Sequence, residues 1–250
     1  MSFASTNSAM RKLQPELAVG GYSAYDGTVE FYGRVKALLQ PQMRVVDLGA
    51  GRGAWFEDDE SDYRKRMRLL RGSVLEVIGC DVDRAVLANR AVDRAEVLQP
   101  GAPLPFADGS VDMVISDYVF EHVTEPLQLA SELARILKPG GWVCARTPTR
   151  YNYVSVAARL VANLHHARLL RLVQPGRKAE DVFPTVYLLN TRRSVRRAFS
   201  ESQFADHTYL YANEPQYFFG KKFIYRSFQL FHWLLPTALH GNLFIFLRRR

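Results

Sequence analysis

Residues 43–55 read MRVVDLGAGRGAW. A largely apolar run from Met43 to Leu48, interrupted by Arg44 and one carboxylate, breaks into a loop holding Gly49, Gly51 and Gly53. The pattern predicts a buried strand that turns sharply into a helix. Without Cβ atoms the glycines let the backbone turn tightly and approach a ligand closely. Gly49-Ala50-Gly51-Arg52-Gly53-Ala54 formally fits the dinucleotide fingerprint G-x-G-x-x-A, so a nicotinamide or flavin cofactor has to be weighed. Asp47 argues against that. At the last turn of the strand its carboxylate would face a bound pyrophosphate and repel it. It would attract a ligand carrying an ammonium group.

Reading outward, TVEFYGRVKALL before this stretch has Phe31, Val35, Leu38 and Leu39 at helical spacing, with Asp26 or Thr28 available as its cap. After it, one charged helix is expected. Its first turns hold Glu57, Asp58, Asp59 and Glu60, and its end holds Arg64, Lys65, Arg66, Arg68 and Arg71. That order suits the helix dipole and allows Glu60–Arg64 and Asp62–Arg66 pairs. The run RKRMRLLR reads as a solvated helix face in preference to a nucleic-acid patch. Further strands are EVIGCD, AEVL, DMVISD and GWVCART. Between the last two, a helix is expected from Thr124, with Pro126 in its first turn and Pro139–Gly140 as its stop. Strands alternating with helices imply a mostly parallel sheet covered on both faces, whose ligands bind at the carboxyl ends of the strands.

Asp81 ends the second strand, placed to accept hydrogen bonds from ribose hydroxyls. Asp83 reads as a helix cap. One carboxylate for an amino group and one for a ribose describe an amino-acid nucleoside better than a dinucleotide.

Four ordered segments, VVDLGAGRG, VIGCDVD, LPFADGSVDMVISDYVFEHV and ELARILKPGGWVCARTP, resemble the signature segments of class I S-adenosylmethionine-dependent methyltransferases across roughly residues 41–149. The resemblance implies a Rossmann-like α/β fold. Its sheet would have seven strands, mostly parallel with one antiparallel, and helices on both faces. It also implies S-adenosylmethionine as cofactor. Asp47 and the loop Gly49, Ala50, Gly51 and Gly53 would then face the methionine part, Asp81 and Val82 the ribose side, and Asp117, Tyr118, Glu121 and His122 the methyl group. The acidic residue that many relatives carry before LPF is replaced here by QPGAP, leaving Gly101, Ala102 or Gln99 for the adenine. His122, beside Glu121, is the best candidate for a general base if the acceptor is a hydroxyl; a loop anchor is the alternative role. His165–His166, next to Arg168, fits an exposed helix face. Asp108–Ser110 and Asp112 read as structural.

At 250 residues, with 48% hydrophobic and 23% charged residues, the chain has ordinary globular composition. A single domain is expected: 1–40 an N-terminal helix and gate, 41–149 the cofactor-binding core, 150–207 a substrate-side cap, and 208–250 the final strands. Cys80 and Cys144 read as buried thiols on strands, so neither a disulfide framework nor a metal site is expected. The first twenty residues lack a basic region followed by an apolar core, which makes a cytoplasmic location the default. Residues 1–150 hold 18 Lys+Arg and 20 Asp+Glu, whereas residues 151–250 hold 15 and 5, so the net +8 comes wholly from the C-terminal part. Tyr151, Asn152, Tyr153, Arg177, Lys178, Asp181, Thr185, Tyr187 and Asn190 read as a basic cap over the substrate, with Thr191 capping an arginine-rich helix. The core combined with DVFPTVY and a basic tail is similar to methyltransferases associated with bacterial surface-polysaccharide synthesis. That implies a small-molecule or glycan acceptor of polar or anionic character.

SFQLFHWLLPTALHGNLFIFL, residues 227–247, carries no Lys, Arg, Asp or Glu and is long enough for a membrane span. Its eleven Leu, Ile and Phe contribute only about −3 to −7 kcal/mol, and Gln229, His232, Pro236, His240, Gly241 and Asn242 oppose insertion. A helix through YRSFQLFHWLL, ended by Pro236, and a final antiparallel strand in NLFIFLRRR are expected instead, after a sixth strand in HTYLYA. Aromatic and basic residues alternate in FFGKKFIYRSF, which leaves peripheral contact with an anionic surface open. A nucleic-acid methyltransferase is disfavoured, because SDYVFEH stands where a motif of the NPPY kind would follow the fourth strand. A non-catalytic cofactor-binding module is the remaining alternative.

Overall fold

Each expected strand–helix alternation condenses onto one sheet, seen in a computed structural model that describes residues 14–153, 155–156, 184–213 and 222–250. Helix α1 (Gly27–Leu38) starts where the Asp26 carboxylate accepts the amides of Thr28 and Val29 at 2.9 and 3.1 Å. Strand β1 (Arg44–Leu48) leads through the glycine loop into α2 (Ala54–Asp58) and α3 (Asp62–Arg68). Then come β2 (Glu76–Asp81), β3 (Arg94–Val97), β4 (Val111–Asp117), α4 (Pro126–Ile136) and β5 (Leu137–Pro148). The C-terminal part contributes α5 (Arg192–Ala198), β6 (Phe204–Asp206), β7 (Tyr209–Tyr211), α6 (Lys222–Leu234) and β8 (Asn242–Arg249).

The strand order is β3-β2-β1-β4-β5-β8-β6, with β7 also paired to β8. Strands β1 to β5 are parallel, and β8 runs antiparallel to β5, β6 and β7. The final strand therefore inserts into the sheet, as expected from its sequence. Leu243, Ile245 and Leu247 face the cluster that includes Leu133 of α4 and Val195 of α5, and Phe244 and Phe246 face the cluster around Phe31 of α1. Burial on both faces explains why β8 is apolar without alternation. Among the described residues no helix is long and apolar enough to cross a membrane.

Several expectations need correction. Among the described residues eight strands form instead of seven. Asp206 folds its carboxylate onto the Thr208 amide at 2.8 Å, and this turn splits the outer edge into β6 and β7. The charged helix is two helices. Asp59 leaves helical geometry, and Ser61 restarts the chain by accepting the Arg64 amide at 3.3 Å. Its ion pairs include Arg64–Asp59 at 2.6 Å, Arg64–Asp26 at 3.1 Å and Lys65–Asp62 at 3.1 Å. Arg64 meets Asp59 with two nitrogens, a charge-assisted fork. Helix α4 starts at Pro126 and ends at Ile136, short of Pro139, because Leu137 already pairs with Val111 in the sheet. Arg177, Lys178 and Asp181 of the expected cap, and the expected exposed face of His165, His166 and Arg168, lie outside the described residues.

Candidate active site at the carboxyl edge of the sheet

The glycine loop closes on its neighbours through backbone that a side chain would obstruct. The Gly49 amide donates to the Cys80 carbonyl at 2.7 Å, φ is +79°, and a Cβ here would stand 2.1 Å from Val119. Asn89 locks the loop from the other side, its Nδ2 donating to the carbonyls of Ala50 and Gly51 at 3.1 Å each. Gly53, at φ +69°, begins α2 against the same Asn89 side chain. Over Gly51 the space is open, since a Cβ there would meet nothing within 4 Å. Asp81 sits at the loop, accepting the Gly51 amide at 2.8 Å and the Asp83 amide at 2.9 Å. Asp83 caps the short 3-10 helix Arg84–Ala88, as expected. Val82 is half exposed, and Gly101 and Ala102 lie exposed beyond β3.

Asp47 projects from the face of β1 that α1 covers, into a small cavity lined by Tyr32, Trp55, Arg68 and Ile115. Its carboxylate accepts no hydrogen bond among the described residues. Burial, reinforced by the Asp117 charge and partly offset by Arg68, pushes its pKa up to about 7. A partly buried, unsatisfied carboxylate on the strand that leads into the open glycine loop can pair with an ammonium-bearing ligand.

Asp117, at the end of β4, is already engaged. Arg146 on β5 meets it with Nε at 2.5 Å and Nη2 at 2.9 Å, and Arg68 adds Nη2 at 3.2 Å. Burial opposes the charge, but Arg146 and then Arg68 hold the Asp117 carboxyl below its ordinary range. Arg146 is 3% exposed and also reaches Thr28 Oγ1 at 3.1 Å. Its guanidinium lies over the rings of Tyr118, Phe31 and Tyr32 at 4.9, 5.4 and 5.8 Å. Tyr118 adopts φ +60° and its hydroxyl accepts from Asn242 Nδ2 at 2.5 Å, so the inserted strand β8 reaches the site. Next to this cluster is a polar cavity of about 150 Å³ lined by Tyr25, Asp26, Gly27, Thr28, Arg64, Tyr118, Arg146 and Asn213.

Glu121 is 6% exposed and its Oε2 accepts the Thr147 hydroxyl at 2.7 Å, while its carbonyl receives the amides of Val186 and Tyr187. Burial raises its pKa against the Thr147 hydrogen bond. This is the geometry of a loop anchor. His122 places Nδ1 2.8 Å from the Pro184 carbonyl, so the neutral ring carries its proton there and its lone pair at Nε2. Asn152 and Asn190, expected to face a substrate, are buried on the carbonyls of Gly241 and Pro148.

Arg146, Arg68, Tyr32 and Asn89 were not singled out in the sequence as site residues. Arg146 had a signal: an arginine inside the apolar strand GWVCART must be paired if buried. Arg68 had a misleading one, since its helix reads as a solvated face, yet the side chain turns inward and stacks on Trp55 at 4.5 Å.

Residues 46–145 match the family model described as a methyltransferase domain. Over 112 residues the chain is 40% identical to a probable S-adenosylmethionine-dependent methyltransferase of Mycolicibacterium smegmatis, covering 44% of this chain and 39% of that protein. Over 104 residues it is 36% identical to an uncharacterized methyltransferase of Mycolicibacterium gilvum, covering 40% and 36%. The matched region thus spans well under half the length of these relatives. Among solved structures, a chain from the complex of the Haloferax volcanii Trm112 methyltransferase activator with a methyltransferase superposes with TM-score 0.58 at 20% identity, covering 99% of this chain and 97% of that one. Geranyl diphosphate C-methyltransferase from Streptomyces coelicolor, bound to S-adenosyl-L-homocysteine, gives TM-score 0.54 at 18% identity over 89% and 76%. Residues 46–145 thus match a methyltransferase domain, and the dinucleotide reading of the glycine loop is not favoured.

Proposed function

We propose that this protein transfers a methyl group from S-adenosylmethionine to an oxygen of a polar or anionic acceptor, such as a glycan or glycolipid intermediate. The observation that carries the reading is the pair of strand-end carboxylates at the open glycine loop. Asp47 would hold the ammonium and Asp81 the ribose hydroxyls, exchanging its present hold on the Gly51 amide. Val82, Gly101 and Ala102 would border the adenosine. The cofactor, when bound, supplies a methyl group already activated on a sulfonium.

The protein's part is then mainly positioning, which contributes up to about 7–11 kcal/mol in well-oriented reactions. Asp117 acts through Arg146, fixing a guanidinium beside Tyr118 and Thr28. The polar cavity next to them, with Arg64 and Asn213 in its wall, suits a hydroxylated or anionic acceptor. Burial raises the Tyr118 pKa even against Arg146, so Tyr118 orients the acceptor and does not take its proton. His122 is the proposed base, through Nε2, because the Pro184 carbonyl holds the Nδ1 proton.

The test is methylation of a panel of hydroxylated acceptors by labelled cofactor, with wild type and His122→Gln. The variant should bind S-adenosylmethionine normally and turn over roughly a hundredfold more slowly. Unchanged turnover would remove the base and leave proximity alone. No affinity of the wild type for S-adenosylmethionine would sink the whole reading.

A further inference from the structure

Helix α6 leaves a line of large apolar side chains exposed. Phe223, Leu230 and Leu234, spaced i, i+7 and i+11, lie on one line of the helix and are 83%, 57% and 65% exposed. Trp233 (80%) and Phe231 (44%) flank that line, and Arg226 and Ser227 are the polar residues of the exposed arc. The inward side mixes apolar and polar groups, with Phe228 packed on the Tyr153 ring at 5.6 Å. Tyr225 is 1% exposed and takes a hydrogen bond from Gln14, and His232 stacks on His240 at 4.2 Å. A surface helix in water turns such a line inward, and isolated exposed apolar residues do not line up this way.

The chemistry of the occupant follows from charge. The exposed arc has a cation, Arg226, and no carboxylate, and the helix Lys222–Leu234 holds Lys222 and Arg226 without a single Asp or Glu. An exposed Trp and Phe beside basic residues on a mostly apolar face match a helix lying in a lipid headgroup layer. At 13 residues it is too short to span a bilayer.

Its place in the fold gives the contact a purpose. The His232 ring sits against the backbone of Asn213, and Asn213 lines the polar cavity beside Tyr118 and Arg146. From α6 the chain runs into Asn242, which bonds Tyr118. The apolar face and the polar cavity thus adjoin at the carboxyl edge of the sheet.

We propose that α6 is an interfacial helix that docks this edge on an anionic lipid surface, so that the acceptor is an amphiphile whose polar head enters the cavity from the membrane. The second half rests on the methyltransferase reading; the docking does not.

The experiment is sedimentation of the full chain with vesicles of phosphatidylglycerol and phosphatidylcholine, and with vesicles of phosphatidylcholine alone. Phe223→Ser/Trp233→Ser/Leu234→Ser and Arg226→Glu are run in parallel. Wild type should bind the mixed vesicles and bind the neutral ones weakly. The triple variant should bind on the order of tenfold or more weakly, and Arg226→Glu should lose the preference for anionic lipid. Both variants should keep the wild-type circular dichroism and S-adenosylmethionine affinity, because the substituted side chains are exposed. Wild type left in the supernatant, or a triple variant that sediments like wild type, would overturn the proposal. So would light scattering that shows a dimer made monomeric by the triple substitution, which would assign the face to a second copy. Vesicle binding without S-adenosylmethionine binding would keep the docking and discard the methyltransferase reading.

Discussion

The two halves of the sheet end in polar residues at the same carboxyl edge, yet those residues are handled in opposite ways. In the half β3-β2-β1, Asp47 is unsatisfied and Asp81 holds only backbone amides of the loop around it. In the half β4-β5-β8, Asp117 is locked by two guanidiniums, and Tyr118 is tied to Asn242. The first half keeps acceptors open for a ligand. The second spends its polar groups on one another and stands as a rigid wall. The difference teaches that an acidic strand end stays open where no neighbouring cation reaches hydrogen-bond distance of it.

The comparison breaks most completely if β8 goes. Deleting residues 241–250 removes the ladders to β5, β6 and β7 along with Leu243, Phe244, Ile245, Phe246 and Leu247, all buried. Large core side chains are each worth about 2–5 kcal/mol, against a total stability of about 5–15 kcal/mol. The truncated chain is expected to be insoluble or unfolded by circular dichroism. A soluble, folded truncation would show that the sheet stands without its inserted strand.

A smaller effect is expected from Arg146→Met. It leaves the Asp117 carboxylate without its main partner in a site where Asp117 is 9% exposed. The cost should be about 3–5 kcal/mol in denaturant unfolding, and adding Asp117→Asn should recover part of it. If the single variant is as stable as wild type, the wall is not held by this ion pair.

The smallest expected effect on folding, and a direct one on the ligand, comes from Asp47→Asn. S-adenosylmethionine binding should weaken roughly ten- to hundredfold, the worth of a hydrogen bond to a charged group. The wild type adds a pH signature. With the pKa of Asp47 at about 7 in the cofactor-free protein, binding to an ammonium requires the ionised form. Affinity should therefore rise as pH increases through about 7, with a proton released on binding below it, and the Asn variant should lose both trends in calorimetry. The folding sign is opposite: a carboxyl raised from 3.8 to about 7 stabilises the fold below that range and loses this contribution as pH climbs through it.

Much of this molecule was legible along the chain. Strand β2 falls where its run of apolar residues predicts, and the glycine loop, the caps at Asp26, Asp83 and Thr191 and the inserted final strand follow from local chemistry. Each depends on residues within a few positions or on burial of a continuous apolar run, and both are written in order. What the chain could not show is which distant groups meet. The Arg146–Asp117–Arg68 cluster joins residues 29 and 49 positions apart, the Asp206 turn acts only because β8 lies beside it, and Asn89 finds the glycine loop from 38 and 39 positions away. Periodicity also assigns an arginine-bearing helix to solvent. In α3 Arg68 departs from that assignment, because a buried carboxylate pulls it inward. Local propensity sets which elements form; only packing decides which of their side chains find a partner.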